Sequence, residues 1–308
     1  MTSVVTPSDS ASAYGGRSRV MATLAADVAR AWSRLSIATA SGVGSHHRVN
    51  EDSHSPLDGI APVYLVADGV GGGAMASWAS GHLVKSVHRK LERRRADAAT
   101  LAKALLDADR EIARGIAHRS GASGAATVVA CAAVDLLRAT WLVAWVGDCR
   151  AYVLDRHGAA TPVTRDDTYR NLDEVPPPGG SPDDPARMIG NGAVSAPNVV
   201  RIRLGWDEMI VLASDGVHKF VDGAAVARYL RDDAPLARRC QRIVDAARGN
   251  GSEDDATVLV VHRRREPRAR LARQAFAAVV VAAALAFGVM HWLSPAAVVP
   301  RAATEAAQ

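Results

Sequence analysis

Short runs of alternating or continuous apolar residues, bounded by Gly, Asp and Pro, recur along most of this chain and predict strands of packed sheets at 35–39, 63–67, 127–134, 141–146, 151–154, 199–203, 209–212 and 257–261. Between them the apolar period lengthens to that of helices. Leu83, Val84, Val87 and Leu91 share a stripe over 74–91; Leu101, Leu105, Ile112 and Ile116 form a second; Leu236, Cys240, Ile243, Val244 and Ala247 form a third over 235–247. Near the start, Met21, Leu24, Val28 and Trp32 fall at helical spacing inside a flexible extension rich in Ser, Ala and Thr, residues 1–33. Asp27 and Arg30 interrupt that stretch too soon for a secretory signal. The mixture predicts an α+β fold. One long segment, 164–198, is rich in Pro, Gly and Asp and includes Pro176-Pro177-Pro178-Gly179-Gly180; beyond a turn of helix around 186–189 it predicts no regular element, and loops of this length are functional or mobile.

The pattern changes after the arginine-rich stretch from Arg263 to Arg270. Residues 275–290 form an unbroken run apolar on every face, extendable to 271–293, and a helix of that longer span covers ~34 Å, enough for a bilayer core. Arginines crowd its N-terminal side, only Arg301 lies beyond it, and Trp292 stands where an interfacial anchor would. This predicts a basic juxtamembrane linker (264–270), a transmembrane helix (271–293) and a short tail (294–308), with the folded domain (34–263) in the cytoplasm as part of a single-pass membrane protein.

Composition narrows the function. With 308 residues, 48% of them apolar, the chain has material for a sizeable core. Its net charge of +5 does not indicate nucleic acid, because the arginines are clustered and only 5% of residues are aromatic, leaving no platform on which bases would stack. Cys131, Cys149 and Cys240 are too few and scattered for a disulfide framework or zinc site, and read as reduced thiols.

The chemistry lies in acidic clusters at the ends of predicted strands: Glu51-Asp52, Asp68-Gly69-Val70-Gly71-Gly72, Ser214-Asp215-Gly216 and Asp254-Asp255-Ala256-Thr257. Carboxylates gathered from across a fold suit hard cations such as Mg²⁺ and Mn²⁺, which prefer oxygen ligands. The glycines beside Asp68 suit a tight turn with close backbone approach.

In order, His47-Arg48-Val49-Asn50-Glu51-Asp52, Ala67-Asp68-Gly69-Val70-Gly71-Gly72, Val146-Gly147-Asp148-Cys149-Arg150, Ala213-Ser214-Asp215-Gly216-Val217 and Asp254-Asp255-Ala256-Thr257 resemble the motif series of the protein phosphatase 2C family, over about residues 36–262. The resemblance implies two antiparallel sheets packed face to face with helices outside, and a flap within 164–198. It implies hydrolysis of phosphoserine and phosphothreonine in proteins by a water activated at a dinuclear Mn²⁺ or Mg²⁺ centre. Asp68 would bridge the ions, the Gly69 carbonyl would serve the first, and Asp215 and Asp254 the second. Glu51 and Asp52 would act through metal-bound waters. Asp148 resembles the aspartate that helps bind a weaker third ion in bacterial relatives, its alternative role being a turn carboxylate that caps amides. The implied partners are a phosphoprotein, a serine/threonine kinase or that kinase's target, and a membrane. A scaffold of the same fold without turnover, and a phosphatase for a small phosphate ester, are the competing readings.

The chain departs from the family at several points. The arginine that would grip phosphate falls in register at His47, with Arg48 displaced by one residue; both are candidate phosphate contacts. Val70 stands where many members have a histidine proposed as general acid, Asp255 where asparagine is frequent, and Asp166-Asp167-Thr168 where Asp-His-Ser is common. Asp255 either turns outward or strengthens the second ion site.

Overall fold

In the computed structural model, residues 21–30, 33–57, 63–72, 74–92, 96–118, 123–136, 138–192, 194, 196–265 and 268–293 are described. Alternation along the strands sorts their side chains into layers. In β4 (Val63–Val70), Val63, Leu65 and Ala67 face the helices, whereas Tyr64 and Val66 face the opposite sheet. β4 belongs to a sheet ordered β3 (Ser53–His54), β4, β5 (Ala125–Asp135), β6 (Thr140–Val146) and β9 (Asn198–Arg203). The second sheet runs β1 (Met21–Arg30), β2 (Ser33–Gly42), β11 (Ala256–Arg265), β10 (Glu208–Ala213), β7 (Arg150–Leu154) and β8 (Ala160–Pro162). All pairings are antiparallel.

Helices α1 (Ala74–Leu91) and α2 (Ala98–Ala117) cover the outer face of the first sheet through Leu83, Val87, Leu101, Leu105 and Ile112. The start of α2 is fixed by Asp97, whose carboxylate accepts from the Thr100 amide while the Thr100 hydroxyl accepts from the Asp97 amide, 2.7 and 2.9 Å. On the other side, α4 (Asp215–His218), α5 (Gly223–Leu230) and α6 (Leu236–Gly249) cover the second sheet, burying Val217, Val226, Leu230, Ile243 and Val244. Between the sheets lie Ile37, Val66, Val129, Trp141, Ile210 and Leu259. The layers are therefore helix, sheet, sheet, helix, as expected.

Two expectations fail. The helix predicted over 21–32, within a flexible extension, is instead strand β1, paired with β2 from Met21↔Gly42 to Arg30↔Ser33. The four-residue spacing of Leu24 and Val28 suits one face of a helix and one face of a strand equally, and the long ladder to β2 decides between them. The helical turn predicted at 186–189 is absent: Ile189 exchanges backbone hydrogen bonds with Ala126, both 2.8 Å. The helix of this region is α3 (Tyr169–Leu172), capped by the Thr168 hydroxyl. The three cysteines are free and buried.

Residues Glu266–Gln308 form a separate unit. It contains α7 (Arg268–Leu293), of 26 residues. The described side chains at 272, 274–287 and 289 are exposed, including Phe276, Leu285 and Phe287 at 71%, 67% and 74%. Among the described residues, no helix is long and apolar enough to cross a membrane. The predicted tail, 294–308, and residues 1–20 lie outside the described residues.

Candidate metal centre

The strand alternation that builds the core also builds the site. Continuing the face of Tyr64 and Val66, Asp68 emerges at one end of the sandwich between the sheets. β10 ends beside it, and Ser214-Asp215 turns directly into α4. The β6–β7 turn supplies Asp148, the segment before β11 supplies Asp254 and Asp255, and the segment before β3 supplies Glu51 and Asp52. Thus the acidic clusters, dispersed over some 200 positions, meet at one mouth.

These carboxylates cannot all stay ionised together. Burial, then the charges of Asp215, Asp52 and Asp148, pushes Asp68 well above the usual carboxylate range. Burial raises Asp52 to about 8; the Thr257 and Ser214 hydroxyls oppose this, while Asp255 and Asp215 add to it. Asp148 is raised to about 7 by burial and by Asp215, against the pull of Lys219. Asp254 is raised by burial and Asp215. Asp215 alone among these goes down: burial opposes its charge, but Lys219 Nζ, 2.8 Å from its Oδ2, holds it ionised. Asp52 Oδ1 and Asp215 Oδ1 are buried without a hydrogen-bond partner among the described residues. Orphaned carboxylate oxygens on Asp52 and Asp215 are donors that a hard divalent cation satisfies, and Asp68 and Asp254, whose carboxyls feel the charge of Asp215, add oxygen ligands of the same kind, so the set fits a metal role.

The turn after Asp68 is equally constrained. The Gly69 amide donates to the Glu51 carbonyl at 3.1 Å, and a Cβ on Gly69 would stand 2.5 Å from the Ala76 carbonyl oxygen. Glu51 is buried, and its carbonyl also accepts from the Ser80 hydroxyl at 2.5 Å. Asp52 stands among the cation-facing carboxylates, positioned by a relay that sequence reasoning missed. Ser214 Oγ donates to Asp52 Oδ2 (2.8 Å) and accepts from the Thr257 amide (2.9 Å). The Thr257 hydroxyl lies 2.7 Å from that of Ser41, which accepts from Asn50 Nδ2 at 2.8 Å, and Asn50 Oδ1 accepts from the Asp52 amide at 3.0 Å.

Asp255 does not turn outward. It accepts from the amides of Gly44 and Glu51, both 2.6 Å, and lies 3.0 Å from His47 Nδ1, pinning the 44–51 segment. His47 also lies 3.7 Å from Asp254, and although burial opposes it, the hydrogen bond to Asp255 raises its pKa. Asp254, Asp255 and His47 thus form a tight cluster. Arg48, next to it, is exposed. At the start of the flap, Asp166 takes Arg150 in a two-pronged pair of 3.1 and 2.5 Å, and Asp167 accepts from the Gly147 amide (3.1 Å) and Asn198. The segment expected to form a flap is thereby tied to the turn carrying Asp148.

The helix–sheet–sheet–helix sandwich is a fold shared with solved bacterial serine/threonine phosphatases. Residues 39–176 match the family model for protein phosphatase 2C. A protein of Oryza sativa subsp. japonica described as probable protein phosphatase 2C 74 is 33% identical over 244 residues, which cover 66% of this chain and 57% of that relative. The chain therefore spans little more than half the length of this curated relative. Among solved structures, the Mycobacterium tuberculosis serine/threonine phosphatase PstP/Ppp superposes with a TM-score of 0.64 at 22% identity, over 74% of this chain and 98% of that one. The catalytic domain of the phosphatase PstP in complex with two manganese ions gives the same TM-score and identity, over 76% and 99%.

Proposed function

We propose that this protein hydrolyses phosphoserine and phosphothreonine in proteins, with Mn²⁺ or Mg²⁺ held by Asp68, the Gly69 carbonyl, Asp215 and Asp254. The observation that carries the reading is the facing pair Asp68 and Asp215, which with Asp52, Asp148 and Asp254 forms a cluster stable in ionised form only around cations. The manganese-bound solved relative and the family match support it. When bound, two such ions supply a nucleophile from water at neutral pH and neutralise charge on the phosphoryl oxygens. The chain's own residues do the rest. Asp68 and Asp215 would hold the cations, the Ser214 relay orients Asp52, and Asp255 sets the loop from which Arg48 would reach the phosphate as a two-pronged donor. Beside Asp52 lies a cavity of about 540 Å³, lined also by Asn50, His54, Val84 and Lys85. Val70 has no proton to give, so the leaving group takes its proton from water.

The same reading includes a membrane. The described side chains of α7 cover only part of the apolar run, which the sequence extends from Leu271 to Leu293, and they are exposed and almost entirely apolar. With the preceding arginines, this supports a single-pass anchor and a cytoplasmic domain that reverses a serine/threonine kinase at the membrane face.

A substrate panel tests the activity. The full chain with Mn²⁺ is expected to turn over phosphothreonine and phosphoserine peptides with a higher kcat/KM than nucleotides or sugar phosphates, and EDTA should silence it. A preference for a small ester, or undiminished turnover in EDTA, would overturn the reading.

A further inference from the structure

The acidic mouth contains a cation that the chain supplies itself. Lys219 Nζ stands 2.8 Å from Asp215 Oδ2 and 3.5 Å from Asp148 Oδ2. Asp215 and Lys219 are four residues apart across the turn of α4, so the helix itself sets the ammonium over its own carboxylate. The side chain is 41% exposed, entering from the rim with its charged end directed inward. Asp148 is held from its other side, because His218 Nε2 donates to the Asp148 carbonyl at 2.8 Å. The backbone of the turn that carries Asp148 is thus anchored beside the ammonium.

We propose that Lys219 is a built-in substitute for a third metal ion: its ammonium fills the cation position between Asp148 and Asp215, and the mouth accordingly takes two divalent ions and not three. The proposal rests on the metal-centre reading above and replaces the expectation that Asp148 binds an ion. Its basis is charge and space. A divalent ion on Asp148 would share the Asp148 and Asp215 carboxylates with an ammonium already in contact with them, and the two cations would repel at close range. A tethered ammonium also stays in place at any metal concentration, so the charge beside Asp215 does not depend on supply of a weakly held ion.

Mn²⁺ stoichiometry tests this without reference to turnover. The full chain is titrated with Mn²⁺ near neutral pH and the free ion is read by electron paramagnetic resonance. Wild type and K219R, which keeps a cation, should saturate at two ions. K219Q should gain a third, weaker ion, and K219Q/D148N should lose it again. A third ion in the wild type that D148N removes would overturn the proposal, as would a K219Q variant that stays at two. No Mn²⁺ uptake by the wild type would sink the metal centre itself and this inference with it, whereas binding of two ions without phosphatase activity would leave the inference standing and overturn only the activity.

Discussion

Gly216 lies directly against the Asp255 carbonyl: a Cβ on Gly216 would stand 1.9 Å from that oxygen. Two acidic motifs distant in sequence are thus packed backbone to backbone, and the Ser252 hydroxyl reinforces the contact by donating to the Gly216 carbonyl at 2.8 Å. Gly216→Ala should force α4 outward and displace Asp215. Overpacking of this kind costs about 1–3 kcal/mol. The expected result is a melting temperature lowered by at least ~2 °C together with weakened Mn²⁺ binding. Wild-type values for both would show that the two segments separate freely.

His47 and Arg48, adjacent in sequence, are expected to give opposite phenotypes. Arg48→Ala should raise KM for phosphothreonine peptides severalfold with little change in kcat, as for a group that binds phosphate equally in ground and transition states. His47→Ala should instead lower stability by about 1 kcal/mol, since Asp255 loses one of its partners. Steady-state kinetics and melting curves on both variants decide the assignment. A KM effect from His47→Ala with none from Arg48→Ala would place phosphate at His47.

The metal-free protein should lose stability as pH rises above neutrality. Asp52 and Asp148 titrate at about 8 and about 7 in the folded chain, against ~3.9 for an unfolded aspartate. Between those values the folded state holds more protons than the unfolded one, so stability falls with increasing pH. His218 and His262, both held down to about 4 chiefly by burial, act in the opposite sense, but only below the ~6.5 of an unfolded histidine. From pH 6.5 to 8.5 the melting temperature in EDTA should therefore drop, and saturating Mn²⁺ should remove the drop by displacing the protons. A flat profile in EDTA would mean that the carboxylates do not crowd one another.

Much of this site was legible in the sequence because its residue types are chemically narrow. Asp68, Asp215 and Asp254 sit in short motifs beside apolar strand runs, and strand alternation alone carries Asp68 to the end of the inter-sheet layer. What was not legible depends on pairings between distant segments. Nothing local distinguishes an inward Asp255 from an outward one, because its donors are backbone amides some 200 residues away. The Ser214–Thr257–Ser41–Asn50 relay joins four segments whose polar residues look ordinary in isolation. Lys219 did carry a signal, its four-residue spacing from Asp215, which counts only once that turn is known to be helical. Strand β1 was misread because leucine and valine four apart fit both periods.

The tail prediction is independent of catalysis. Expressed intact, the chain should sediment with membranes and resist carbonate washing, since hydrophobic transfer of some twenty residues holds a spanning helix whereas charge alone holds a peripheral one. A reporter fused after Gln308 should read out across the membrane from one at the N-terminus. A monodisperse chain in the high-speed supernatant would show that α7 does not anchor it.

Phosphate release from a phosphothreonine peptide by the wild type and by Asp68→Asn, each saturated with Mn²⁺, tests the central claim most directly. Loss of the carboxylate proposed to touch both ions should lower kcat by about 100-fold or more, roughly 2.7 kcal/mol of transition-state stabilisation, while the melting temperature in EDTA stays close to that of the wild type, because without cations burial and the neighbouring aspartates already favour the uncharged form of Asp68, which asparagine mimics. Near-normal turnover by the metal-saturated Asp68→Asn protein would place the chemistry elsewhere on the molecule.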